Sequence, residues 1–242
     1  MQLTIVIPTL NEEWWLPTLL ASLAQQSFQD FEVIVADAES TDETRTIAER
    51  FSARVVAGGL PGPGRNRGAE QAQGEILAFF DADVVLPHPD FLRDSLREMA
   101  ERSFDVSTCC VRAHEGTLVD QAMHRAYNWY SIVTERLLPH APGFCFFVRQ
   151  AVHESLHGFD ETLVFAEDME YVRRAVRHGF TFGILREHPI HVSVRRLEKE
   201  GRMMLTGKYV YGEFFMLMRG PCKTLPFSYE FGHTKDPDRA RR

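Results

Sequence analysis

The sequence predicts an α/β domain, a mainly parallel central sheet flanked by helices, and three observations carry that expectation. Short apolar runs rich in β-branched residues, such as Leu3 to Ile7 and Phe31 to Ala36, alternate with segments whose apolar residues recur at helical spacing. The connections between these segments are short, as in a sheet wound with helices on both faces. The 242 residues, 44% apolar and 25% charged, suffice for one medium domain with a substantial core.

The elements follow in order. Leu3 to Ile7 reads as a buried strand stopped by Pro8, and Trp14, Leu16, Leu19, Leu20 and Leu23 mark the first helix. After the second strand, Ser40 and Glu43 have the spacing of a capping box and predict a helix to Phe51. Arg54 to Ala57 forms a strand, Gly58 to Gly64 a loop, and Arg65 to Gln73 a helix closed by Gly74. Ile76 to Val85 is the next strand. Pro89 to Ala100 reads as a helix, Phe104 to Val111 as a strand, and Leu118 to Leu138 as a long aromatic-rich helix packed on the sheet through Trp129 and Tyr130. Phe144 to Val148 and Thr181 to Leu185 are strands, and a helix opens at Glu167-Asp168 and ends near Gly179.

Composition sets limits on function. A formal net charge of −7 argues against a general nucleic-acid-binding surface, so any phosphate recognition is local. Cys109, Cys110, Cys145 and Cys222 have neither Cys-x-x-Cys pairing nor framework spacing, which fits a reducing compartment. With no signal peptide at the start and no stretch before residue 200 resembling a membrane span, the expected location is cytoplasmic.

The strand Ile76 to Val85 contains two carboxylates, Asp81 and Asp83, that a core does not hold uncompensated. If the strand persists through them, residues two apart face one ligand, and hard oxygens suit Mg²⁺ or Mn²⁺. Alone, the pair reads as a solvated acidic turn. In an open α/β sheet, however, ligands sit beyond the carboxyl ends of the strands. Pro8, Thr9, Asn11, Glu12, Asp37, Arg65, Asn66, Arg67, Asp81 and Asp83 all lie just after strands or in the adjoining loops, and are therefore expected to converge on one edge.

In their order, Ile5-Val6-Ile7-Pro8-Thr9-Leu10-Asn11-Glu12-Glu13, the Asp37 to Thr44 and Gly62 to Gly68 segments, Asp81-Ala82-Asp83, Gly158-Phe159-Asp160-Glu161 and Glu167-Asp168 resemble the family 2 glycosyltransferases. The resemblance covers about the first 200 residues. It implies a GT-A fold, with a Rossmann-like nucleotide-binding half and an acceptor half, in residues 1–200, and an appended helical, aromatic segment over 201–242 with a disordered end. It also implies a UDP- or GDP-sugar donor and inverting transfer to an acceptor hydroxyl on a lipid-linked or cell-surface glycan, with Mn²⁺ or Mg²⁺ as cofactor. By the same resemblance, Pro8, Thr9 and Glu12 contact the nucleotide, Asp37 recognises its base, and Arg65 lies near the diphosphate. Asp81, Ala82 and Asp83 form the metal and diphosphate site, which His191, or alternatively His188, completes. Asp168, beside Glu167, is the general base. Asp160 supports the acceptor or braces a turn, and Arg195 or Arg196 reaches the diphosphate, the alternative being surface ion pairs with Glu198 and Glu200. Glu39 departs from the family, where many relatives carry glycine. The absence of Gln-x-x-Arg-Trp favours single additions.

Two other readings remain in view: a sugar-phosphate nucleotidyltransferase, whose glycine-rich basic loop after the first strand is missing here, and a non-catalytic nucleotide-sugar-binding protein. Met203 to Met218 is apolar and aromatic but interrupted by Lys208 and Glu213. It is expected to pack on the catalytic domain or on a second subunit; the alternative is an interfacial helix in peripheral contact with the inner face of the membrane.

Overall fold

The computed structural model describes residues 1–163 and 166–220, and within them the α/β class holds. The first half runs β1 (Leu3–Thr9), α1 (Leu16–Ala24), β2 (Phe31–Asp37), α2 (Thr44–Arg50), β3 (Arg54–Ala57), α3 (Pro61–Glu70) and β4 (Ile76–Phe80). The second half continues with β5 (Val84–Val85), α4 (Phe91–Glu101), β6 (Val106–Ala113), α5 (Leu118–Thr134), β7 (Cys145–Arg149) and α6 (Gln150–Ser155). It ends with α7 (Glu167–Arg177), β8 (Phe182–Val192), α8 (Arg195–Glu200) and α9 (Arg202–Arg219). Residues 221–242, including the expected disordered end and Cys222, lie outside the described residues.

The eight strands form one sheet in the order β3-β2-β1-β4-β7-β6-β8-β5. From β3 to β4 all pairings are parallel, as expected. The second half departs from the expectation: β7 runs antiparallel to both β4 and β6, and β5 antiparallel to β8. The sheet is therefore mixed. Alternation along the sequence does not reveal this, because β7 enters after the long α5 and a loop rather than after a tight crossover.

β4 lies at the seam. Its Ala78 and Phe80 join the core that includes α1 and α4, while Leu77 and Phe79 join the core that includes α6 and α7. This two-sided burial is why the run reads as continuously apolar. Behind β1, α3 packs so closely that a Cβ on Gly68 would lie 2.2 Å from Val6 Cγ1.

Several local expectations change, each for a physical reason. β1 does not stop at Pro8 but runs to Thr9. Pro8 is tolerated because pairing with β4 ends at Val6, so no ladder bond is lost on that side. The Ser40–Glu43 capping box is absent, and α2 begins only at Thr44. Ser40 instead donates its hydroxyl to Asp37 at 2.5 Å and accepts the Asn11 N–H at 2.9 Å. α3 starts at Pro61, ahead of Arg65, since proline suits the first helical turn. β4 ends at Phe80, so Asp81-Ala82-Asp83 is a turn rather than strand; Val84 N–H closes it on the Asp81 carbonyl at 3.4 Å. α6 was not anticipated. β8 extends past Leu185 to Val192 through an irregularity opposite Cys109–Val111.

α5 also differs from expectation. Its buried residues are Asp120 and Ser131, whereas Trp129 is 69% exposed. Beside the irregularity in the β6–β8 pairing, Asn128 of α5 serves the Val111 backbone, accepting its N–H at 2.9 Å and donating to its carbonyl at 2.8 Å. This polar side of the helix faces the sheet, and much of the apolar side faces out.

Candidate active site

The polar residues predicted to converge do so in three linked groups beyond the strand ends. The first lies after β1 and β2. Asp37, buried, accepts the Thr9 hydroxyl at 3.0 Å and the Ser40 N–H at 3.0 Å. The loops after these strands lock together: Thr44 Oγ1 accepts the Glu12 N–H at 2.8 Å, and Asn11 Oδ1 accepts the Thr41 N–H at 2.9 Å. Glu39 within this lock has φ +60°, the left-handed conformation that disfavours side chains other than glycine and asparagine.

In the second group, Arg195 at the start of α8 donates both Nη atoms to the buried Glu12, at 2.9 and 3.2 Å. Its Nε meets Asp83 Oδ2 at 2.9 Å, and its guanidinium lies over the Trp15 ring at 5.2 Å. Burial pushes Glu12 up to about 7, against the opposing pull of Arg195, with Asp83 and Asp81 adding to the rise. Burial also raises Asp83, again opposed by Arg195. One arginine thus compensates two carboxylates.

In the third group, Arg65 of α3, only 2% exposed, spans the site. Nη1 donates to Glu167 at 2.6 Å, and Nη2 to Asp81 at 3.0 Å and to the Gly143 carbonyl at 3.2 Å. A Cβ on Gly143 would stand 2.4 Å from that Nη2 and 3.2 Å from Asp168 Oδ2, so the Pro142-Gly143 turn leaves room for both side chains. Asp168 sits in the first turn of α7, after Ala166 in the left-handed region at φ +56°. Its Oδ1 accepts the Met169 N–H at 2.8 Å. Burial, with the negative Glu167 beside it, raises Asp168 to about 7, and Arg65 holds back the rise. A carboxyl titrating near neutrality is suited to exchanging a proton at working pH.

The family model for glycosyl transferase family 2 matches residues 4–157, well over half the chain. The chain belongs to glycosyltransferase family 2. Among its relatives in that family, the Staphylococcus aureus poly(ribitol-phosphate) β-N-acetylglucosaminyltransferase TarS is 26% identical over 230 residues, covering 90% of this chain and 39% of TarS. The chain therefore spans about two fifths of that relative's length. Among solved structures, TarS 1–349 in complex with UDP-GlcNAc superposes with a TM-score of 0.64 at 25% identity, over 80% of this chain and 58% of that one. A mannosyltransferase from Pyrobaculum calidifontis, in complex with GDP-Man and Mn²⁺, superposes with a TM-score of 0.73 at 19% identity, over 90% of this chain and 64% of that one. The fold is GT-A, as these neighbours share it.

Within this family 2 frame, Thr9, Glu12, Asp37, Arg65, Asp81, Asp83, Glu167, Asp168 and Arg195 belong to the three groups just described. Pro8 lies beneath them, its Cβ 3.2 Å from where a Cβ on Gly64 would stand. Ala82 turns into the core between its two acids. Asp160 braces a turn, accepting the Thr162 N–H at 2.9 Å and hydroxyl at 2.7 Å. His191, on β8, lies 6.0 Å from the His114 ring between centroids, and burial lowers its pKa. His188 is committed elsewhere, at 2.8 Å from Asp94 of α4 and stacked on His88. Among the described residues, the side chains that come together in a metal-ligand-like set are His88, Asp94 and His188, away from Asp81 and Asp83. The guanidiniums of Arg93 and Arg97, each 3.1 Å from Asp94 Oδ1, already neutralise that set.

Two positioning residues had no role in the sequence reading. Asn66, expected only to converge on the edge with Arg65, pins the Gly158-Phe159 loop to α3, donating to the Phe159 carbonyl at 2.9 Å and accepting its N–H at 2.8 Å. Gly143 was missed: its closeness to Arg65 has no signal in the sequence.

Proposed function

We propose that the chain transfers a sugar from a nucleotide-diphosphate sugar to an acceptor hydroxyl by direct displacement, with inversion at the anomeric carbon. The observation that carries this reading is that the buried Arg65 guanidinium donates to Asp81 and to Glu167, the neighbour of Asp168, whose carboxyl burial raises to about 7. On this reading a proton acceptor and a leaving-group site flank that guanidinium. The UDP-GlcNAc complex of TarS supports a uridine nucleotide sugar as the first donor to try.

On this reading, Thr9, Glu12 and Asp37 hold the nucleoside end of the donor, and Arg65 and Arg195 supply positive charge toward the diphosphate. Asp168 takes the proton of the acceptor hydroxyl as it attacks. Asp81 and Asp83 fit a hard divalent cation: they offer carboxylate oxygens on one turn, and each is now neutralised by an arginine that a cation would relieve. When bound, Mn²⁺ or Mg²⁺ would stabilise the negative charge of the departing diphosphate. Residues 1–200 make up the transferase unit, and 201–242 an appended segment.

Calorimetry and turnover assays with a panel of UDP- and GDP-sugars, with and without Mn²⁺, test the reading. Asp168→Asn is expected to keep donor affinity while losing transfer by about 10²–10⁴-fold. Asp83→Ala is expected to lose the Mn²⁺-dependent part of donor binding. Transfer by Asp168→Asn at the wild-type rate would remove Asp168 from the base role, and an absence of nucleotide-sugar binding would overturn the proposal.

A further inference from the structure

α9 buries Leu205 and Met216 but leaves most of its large apolar residues outside. Among its described side chains the charged ones are paired: Arg202 forms a fork to the buried Asp120 at 2.7 and 2.8 Å, Lys208 meets Glu200 at 2.6 Å, and Glu213 pairs with Arg173 of α7. The outward side presents Met203, Met204, Val210, Tyr211, Phe214 and Met218, with Met203 91% and Phe214 63% exposed. A groove of about 230 Å³ opens there between Tyr211, Phe214, Phe215 and Met218. Ordinary surface helices turn such large apolar residues inward.

α5 lies alongside. Arg202 reaches Asp120, and Tyr209 and Glu213 act on the Tyr127 phenol, so the two helices run in the same direction. α5 also has an outward apolar stripe, of Leu118, Trp129, Val133 and, just past the helix, Leu137. Arg125 and Arg136 are exposed beside it. On the outward sides of α5 and α9, these arginines are the charges among the described residues; the acids Asp120, Glu135 and Glu213 are each paired, with Arg202 of α9, Arg186 of β8 and Arg173 of α7.

We infer that the α5–α9 face docks on a lipid bilayer bearing anionic headgroups. Exposed tryptophan, methionine and phenylalanine suit the headgroup–acyl boundary, and flanking arginines reach the headgroups. A second copy fits less well. An isologous interface would set this face against itself, and the outward charges it offers among the described residues, Arg125 and Arg136, would meet no outward acid of α5 or α9. Among the described residues no helix is long and apolar enough to cross a membrane, so the contact lies in the plane of the surface. The inference stands whether or not the proposed transfer is correct.

Flotation of the full 242-residue chain with phosphatidylcholine vesicles, and with vesicles containing phosphatidylglycerol, tests it. Binding is expected to the anionic vesicles and to weaken as salt rises. Phe214→Ser and Trp129→Ser, both at exposed positions, are each expected to weaken it about tenfold. Arg125→Gln and Arg136→Gln are each expected to weaken it about fivefold, on anionic vesicles only. Circular dichroism should be unchanged in all four. Failure to float, or flotation indifferent to all four substitutions, would overturn the inference. So would a dimer in sedimentation equilibrium that Phe214→Ser dissolves while vesicles leave the protein unbound, since the face would then belong to a second copy.

Discussion

At Asp168 the direction of the pKa shift links activity to stability. Its carboxyl is raised to about 7 in the folded protein, largely by burial, whereas an unfolded chain titrates near about 4. Between these values the folded state holds a proton that the unfolded state has lost, so stability falls as pH rises through that window. Asp168→Asn is accordingly expected to melt higher than wild type at pH 8 and to lose that advantage toward pH 5, as read by calorimetry. If Asp168 is the base, turnover rises as pH passes through about 7, opposite to stability. Glu39 offers a second test: its φ of +60° lies in the left-handed region that favours glycine. Glu39→Gly should stabilise by about 1 kcal/mol, measured in urea. Glu12, Asp37, Asp81 and Asp83 were legible because each closes or follows a strand, and Glu167 and Asp168 because they open a helix in a segment that resembles the family. Their partners were not: Arg195 lies 183 residues from Glu12, and no local pattern announces such a pairing.

Among the elements, α5 shows where sequence pattern misleads. Its aromatic content predicted burial, yet the helix is held by polar contacts: the Thr117–Asp120 capping box, Asn128 on Val111, and Arg202 on Asp120. Asp120 caps α5 and anchors α9 together, with its side chain fully buried. Asp120→Ala should therefore cost at least about 1–2 kcal/mol, as for a lost cap, and it also leaves the Arg202 side chain without its anchor. Limited proteolysis near Gly201 should report the release of α9 in that variant. The positions of the strands were largely legible, and β3 from Arg54 to Ala57 matches its expected bounds. The direction of β7 was not legible, because the residues of a buried strand read alike whichever way they run.

Across the whole molecule, β4 joins two cores, and Phe79 connects the sheet to the Gly158-Phe159 loop. Its ring packs edge-on against Phe159 at 5.2 Å, and Phe159 in turn stacks toward Tyr171 at 4.5 Å. Phe79→Ala is expected to destabilise by about 3–5 kcal/mol in denaturant and to loosen the Gly158-Phe159-Asp160 loop. The guanidinium of Arg65 has a wider consequence. It is rigid and flat, and it touches Asp81 on one side and Glu167, next to Asp168, on the other. It therefore works as a gauge block between the two halves of the site, fixing their spacing at the width of one planar group. A substrate needing a wider gap must first break a charged hydrogen bond. Arg65→Lys, keeping the charge but losing the flat fork, should thus broaden the range of substrates accepted while slowing turnover of the preferred one.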